Sequence, residues 1–151
     1  MNWMTIVGVA VLLILIILFF FMRYKKARTA RHWDDMDGQD FEYFCADLLQ
    51  KRGFIEVEVT KGSGDYGIDI LAEKEGVTYA IQCKRYSGPV GVKAMQEAYA
   101  GRDYYDRMVG VVMTNQYFTT PAVEAARKLK ILLWDGGYID ELMAGDTKFL
   151  N

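Results

Sequence analysis

Three side chains near the middle of the chain have the types and spacing needed to hold a hard cation beside a phosphate. Asp69 lies in the apolar run Ile68-Asp69-Ile70-Leu71-Ala72, read as a strand. A carboxylate there is costly to bury unless it is paired, hydrogen-bonded or bound to metal. Gln82 and Lys84 stand two apart in the next apolar run, Val77 to Lys84. Two is the period of a strand, so these residues project from one face while Ile81 and Cys83 take the other. A hairpin joining the two runs would gather an anion, an amide oxygen and an ammonium at the ends of adjacent strands. Mg²⁺ takes such oxygen ligands and keeps several waters. Asp69 would supply the charged oxygen and Gln82 the neutral one. Lys84 would orient or help deprotonate a water and offset charge on a phosphoryl group. The plain alternative is a solvent-facing aspartate with two ordinary polar strand residues.

Neighbouring residues add candidates of lower rank. Lys61-Gly62-Ser63-Gly64-Asp65-Tyr66-Gly67 is a glycine-rich turn. Asp65 reads first as a turn former and second as an added acid near the site. The glycines allow close approach of a phosphate backbone, although the GxxxxGK[ST] spacing of a nucleotide-binding loop is missing. On the helix expected after the hairpin, Gln96 is placed towards the site and Tyr99 in the core. Lys61, Arg85 and Lys93 are the nearest cations for phosphate contact, and each also reads as a solvated charge. His32, next to Trp33, has no partner at a spacing that suits a general base and reads as linker. Cys45 and Cys83 read as buried thiols. Two cysteines make no disulfide framework and suit a reducing compartment, and one histidine adds no structural zinc pattern.

The elements that must position these groups follow from periodicity. From about Asp37 to Arg52, Phe41, Phe44, Cys45, Leu48 and Leu49 fall on one face of a helix, with Asp37 or Asp40 at its start and Gly53 at its end. Phe54–Val59, Ile68–Ala72 and Val77–Lys84 read as three strands, the last two joined tightly at Glu75-Gly76. A helix from about Val92 to Tyr104 follows the Ser87-Gly88-Pro89 break. Val109–Met113 is continuously apolar, as a strand covered on both faces would be. Thr119 or Thr120 can cap a helix starting at Pro121. Ile131–Trp134 is a short last strand, Asp135-Gly136-Gly137 a turn and Tyr138–Met143 a closing helix. The expected fold class is α/β, a mixed sheet with helices on its faces.

In front of this region lies a different kind of sequence. Residues 3–22 carry no charge, with only Thr5 and Gly8 outside the apolar class. Twenty residues in a helix reach about 30 Å, the thickness of a bilayer core. The run ends in Phe19-Phe20-Phe21-Met22, with no basic start and no small-residue cleavage site of a signal peptide. Arg23, Lys25, Lys26, Arg28 and Arg31 follow at once. This basic strip is expected on the cytoplasmic side, leaving the N-terminus outside, and it suits anionic lipid head groups. Residues 32–151 carry 13 basic and 20 acidic residues, a net −7 that does not suit a general DNA-coating surface. The expected organisation is a transmembrane anchor at 1–22, a basic linker at 23–35 and one domain at 36–151. That leaves no length for a second domain.

The quoted motifs, taken together, are specific. GQDFEYFCADLLQKRGF, VEVTKGSGDYGIDILA, YAIQCKRY and VVMTNQYFTTPA, running from Gly38 to Ala122, resemble the catalytic domain of the Mrr-type restriction endonucleases of the PD-(D/E)xK superfamily. The resemblance implies a restriction-endonuclease-like fold and magnesium-dependent cleavage of DNA, often modified DNA. It matches Asp69, Gln82 and Lys84 to the D…QxK catalytic signature, and Glu42 to a first-helix glutamate that binds metal directly or through water. Much of the superfamily has an acid where Gln82 stands, and glutamine marks the Mrr-like branch. The expectation is therefore a membrane-anchored endonuclease that hydrolyses DNA with Mg²⁺, or with Mn²⁺ in its place. Its partners would be DNA and inner or cytoplasmic membrane lipids, with RNA ranked behind DNA and a homo-oligomer compatible. The alternative is a catalytically inactive module that binds DNA or protein at the membrane.

Overall fold

The computed structural model describes residues 3–27, 32–61 and 66–145, and for residues 4–6, 19–27 and 32 the backbone alone. The chain divides into two units, Met1–His32 and Trp33–Asn151. The first contains helix α1 (Trp3–Ala27). Among the described residues no helix is long and apolar enough to cross a membrane. The anchor expected at residues 1–22 lies partly outside the described side chains, which within it are Trp3 and Val7 to Leu18.

The second unit opens at Trp33, within a 3₁₀ turn (His32–Asp34); Trp33 enters the core and stacks on Phe44. Helix α2 (Gly38–Lys51) follows. Asp37 caps it by accepting the Asp40 N–H at 2.8 Å, which satisfies one of the orphan donors of the first turn. Phe41, Cys45, Leu48 and Leu49 are buried and Phe44 is half-buried, the face expected from the 3.6-residue period. Strands β1 (Ile55–Val59), β2 (Ile70–Lys74) and β3 (Val77–Lys84) form an antiparallel meander. Glu75 and Gly76, both with positive φ, make the two-residue turn between β2 and β3. Helix α3 (Val92–Tyr104) crosses to β4 (Val109–Thr114), and α4 (Thr120–Leu129) to β5 (Ile131–Trp134). Both crossovers leave parallel pairs, β3 with β4 and β4 with β5, so the sheet order is β1-β2-β3-β4-β5.

Thr119 caps α4, with Pro121 in the first turn, where a missing N–H costs nothing. The turn expected at Asp135-Gly136-Gly137 is instead the start of helix α5 (Gly136–Ala144). The Asp135 carboxylate accepts the Tyr138 N–H at 2.9 Å, and this cap offsets the poor helix propensity of two glycines.

The sheet separates two cores. On one face α2 and α5 cover Ile70, Ala72, Ile81, Cys83, Val111 and Met113. On the other, α3 and α4 cover Val112 and Ile131, while Ile68, Leu71 and Ala80 form a third, smaller cluster with Tyr105. Strand β4 is buried on both sides, as its unbroken apolar sequence requires.

Candidate active site

The site is built where β2 and β3 part. The ladder between them runs from Lys74 opposite Val77 to Ile70 opposite Ile81. Asp69, expected inside the strand, stands just before it. Its neighbours Ile68 and Ile70 belong to different apolar clusters, so the alternation of a strand has already broken there. The backbone stays tied on both sides: the Asp69 N–H donates to the Ile81 carbonyl and its carbonyl accepts from Thr60 N–H, both at 2.9 Å. The side chain then continues the ladder in place of backbone. Asp69 Oδ2 accepts the Cys83 N–H at 2.6 Å, a charge-assisted bond of the strong class. The carboxylate is thereby fixed against the peptide that joins Gln82 to Cys83.

Gln82 and Lys84 leave β3 on the α3 side, opposite Ile81 and Cys83. Gln82 is completely buried. Its Nε2 donates to Glu97 Oε2 at 2.6 Å, and the same oxygen lies 3.0 Å from Lys84 Nζ. Lys93, one turn back on α3, stands 3.6 Å from Glu97 Oε1 and is largely exposed. Burial works to raise the Glu97 pKa, but the hydrogen bonds from Lys84 and Gln82 and the charges of Lys84 and Lys93 outweigh it, holding the carboxyl below the usual range. α3 comes this close because of Gly101, one turn beyond Glu97. A Cβ there would fall 2.3 Å from Ile68 Cγ1 and 3.0 Å from the Tyr66 carbonyl oxygen.

Glu97 was not among the expected residues; Gln96 was. Gln96 is exposed. A helix turns about 100° per residue, and the buried face of α3 is Ala94, Met95, Ala98 and Gly101. Glu97 sits at the edge of that face and Gln96 opposite it, so a helical wheel drawn through Gly101 would have found the acid. The same geometry corrects Tyr99, expected in the core. It is 39% exposed, with the Arg102 guanidinium 4.7 Å over its ring.

Glu42 is half-buried on the second turn of α2. The Cys83 thiol is pushed well up by its hydrogen bond with Cys45, by burial, and by the negative charges of Asp69 and Glu42. Glu42 and Asp69 thus bear on one sulfur from two elements. Both cysteines are buried and unbridged, as expected. Arg85 donates to the Asp34 carbonyl at 2.8 Å, which turns it to the 3₁₀ turn. Lys61 is exposed. Asp65 lies outside the described residues.

Beyond Lys84 the chain ends are tied down at the carboxyl end of the parallel strands, the usual location of sites in such sheets. Thr114 Oγ1 donates to the Lys84 carbonyl at 2.6 Å. Buried Asn115 accepts the Tyr86 N–H and donates to both the Tyr86 carbonyl and Asp34 Oδ1, at 2.8–2.9 Å.

Among the described residues, no group of three or more histidine, cysteine, aspartate or glutamate side chains is placed to hold a metal ion. The oxygen set that is present includes an amide. Gln82 Oε1 is buried and has no hydrogen-bond partner among the described residues. A buried acceptor left in that state calls for a donor or a cation. With the Asp69 carboxylate bonded to the adjoining peptide, the donor chemistry fits a hard divalent ion.

Comparison with known proteins agrees with this architecture. A protein of unknown function, AF1548, superposes with a TM-score of 0.62 at 24% identity over 72% of this chain and 66% of its own. The DNA modification-dependent restriction endonuclease AspBHI does so with a TM-score of 0.53 at 18% identity over 82% of this chain and 33% of its own. MspJI restriction endonuclease, solved in complex with a 27-mer oligonucleotide, gives 0.52 at 17% over 72% and 28%. This chain therefore spans just under two thirds of the first and about a third of the other two. No curated protein matches. The family profile Mrr_cat, described as restriction endonuclease, matches residues 33–143. These residues are the mixed sheet, its helices and the cluster around Gln82, and on that match the chain belongs to the Mrr_cat restriction endonuclease family.

Proposed function

We propose that this protein is a Mg²⁺-dependent DNA endonuclease held at a membrane. The observation that carries the reading is the Asp69 carboxylate held on the Cys83 N–H, with Gln82 and Lys84 flanking Cys83 on β3 and sharing Glu97, in a member of a restriction endonuclease family. Asp69 and Gln82 Oε1 would hold the ion, with Glu42 reaching it directly or through water. When bound, such an ion polarises a phosphoryl oxygen and makes water a better nucleophile. Lys84 places its ammonium beside the phosphoryl group, where it orients the attacking water and offsets developing charge. Asp69, held by the Cys83 N–H, keeps its position while charge redistributes. Mn²⁺, which takes the same oxygen ligands, would substitute. Lys61 and Lys93 would contact the phosphate backbone, with Arg85, Asp65 and Gln96 as further contacts or supports.

The membrane part of the reading rests on residues 3–22, uncharged throughout, followed by five basic residues at 23–31. It is supported by the 25-residue length of α1 and by the exposure of its apolar side chains from Val7 to Leu18. The basic strip would place the N-terminus outside and the nuclease in the cytoplasm.

Cleavage of supercoiled plasmid, single-stranded DNA and RNA, each with and without Mg²⁺, tests the activity. We expect Mg²⁺-dependent nicking or linearisation of DNA that Lys84→Ala abolishes. Metal-independent binding without any cleavage would instead support the second reading, a nuclease-like module that captures DNA or protein. The absence of a three-residue acidic, histidine or cysteine cluster among the described residues favours that alternative.

A further inference from the structure

The Gln82 side chain has two ends of nearly equal shape and opposite chemistry. Its NH₂ donates and its oxygen accepts, and hydrogen-bond partners alone decide which way they point. A strand can deliver the side chain to the right face, but it cannot choose between the ends. In this protein the choice has a visible cause. Glu97 Oε2 lies between Gln82 Nε2 and Lys84 Nζ, at 2.6 and 3.0 Å. A carboxylate between two donors can only accept. It therefore takes the NH₂ end of Gln82 and turns Oε1 away, the atom that is buried without a partner among the described residues.

We infer that Glu97 is a positioning residue that sets the direction of the Gln82 amide, so that Gln82 presents oxygen and not NH₂ to a divalent cation. The inference rests on the nuclease reading of the site. It also gives a reason for an acid on α3 in a site whose strand ligand is neutral. Where the strand carries a carboxylate, both of its ends are acceptors and no such partner is needed. Where it carries glutamine, an acceptor-only neighbour must select the end. Gly101 keeps α3 close enough for that neighbour to reach.

A double-mutant cycle separates direction from charge. Mn²⁺ is titrated into the full chain, purified in detergent, without DNA, and free Mn²⁺ is read by electron paramagnetic resonance. Glu97→Gln is close in shape but can donate as well as accept, so both directions of Gln82 become available. It should weaken Mn²⁺ binding roughly 10–100-fold, the usual effect of losing a partner that orients a ligand. Glu97→Met, which removes the acceptor outright, should do the same, with unfolding midpoints measured alongside. In a Gln82→Glu background, where direction has no meaning, Glu97→Gln should not weaken binding. An equal loss in both backgrounds would show that Glu97 acts by charge alone and would overturn the inference. Wild-type affinity in Glu97→Gln would also overturn it, leaving the metal site itself intact. Failure of the wild-type chain to bind Mn²⁺ would bring down the metal reading of the site, and the role of Glu97 with it.

Discussion

Ile81 and Gln82, neighbours on opposite faces of β3, are equally well buried and chemically opposite. On one, Ile81 and Cys83 join Phe41, Cys45 and Leu49 in the apolar core beneath α2. On the other, Gln82 is as inaccessible as Ile81, yet it meets a carboxylate and an ammonium. A buried amide beside a half-buried ion pair is a poor device for stability, because desolvation offsets much of what the attraction returns. An apolar residue at position 82 would serve the fold as well. The comparison teaches that the α2 face makes the domain and the α3 face is kept for chemistry, with the period of two holding them apart.

Substitutions on the two faces should therefore fail in different ways, and the largest effect belongs to the site. Asp69→Asn keeps an acceptor for the Cys83 N–H but removes the charge. We expect a loss of DNA cleavage of about 10³-fold or more, about 4 kcal/mol in the barrier, with the thermal midpoint held. Single-turnover assays beside melting curves check it, and a large fall in melting temperature would place Asp69 among the structural residues. On the other face, Ile81→Ala should cost about 2–5 kcal/mol of stability through the cavity it leaves. Denaturant unfolding measures this, and the folded fraction should retain its cleavage rate. A rate that fell with stability intact would contradict the division between the faces.

Gly101→Ala probes the spacing between α3 and the site. The new methyl group meets Ile68 and the Tyr66 carbonyl, so overpacking should cost about 1–3 kcal/mol. Because α3 carries Glu97, Mn²⁺ affinity should fall as well. Stability loss without a change in affinity would detach the helix position from the site.

The smallest effect lies on the apolar side, at the β5–α5 corner. Burial pushes the Tyr138 hydroxyl from 10.0 up to about 12, with Tyr79 and Glu141 adding to the effect. Folding thus favours the neutral phenol. That contribution is complete below about pH 10 and is lost as the pH rises towards 12. Tyr138→Phe should flatten the decline of stability over this interval, read by denaturant midpoints, and leave cleavage at neutral pH unchanged. An unaltered alkaline decline would point to other groups.

Much of this was legible before any coordinates. Patterns of apolar residues located β3, β4, β5 and α3 to the residue or nearly so, because local periodicity reports which face is buried. The D…QxK spacing likewise put Gln82 and Lys84 on one face, since a strand offers no other arrangement. Errors arose where an interaction outside the local pattern decided the outcome. A capping carboxylate turned Asp135-Gly136-Gly137 from a turn into the start of a helix. At Asp69 the strand had already parted from its partner, so alternation no longer governed the side chain.

The chain by itself determined which residues are chemically able to act: the carboxylate, amide and ammonium, and the strand period that pairs two of them. Only the tertiary structure decided what they meet. Asp69 and Cys83 are 14 positions apart, and Gln82 and Glu97 are 15 apart. Their contacts depend on the parting of two strands and on how closely a helix settles at Gly101. Those distances are set by packing across the sheet, which no local pattern encodes, and they place Glu97, not Gln96, against the site.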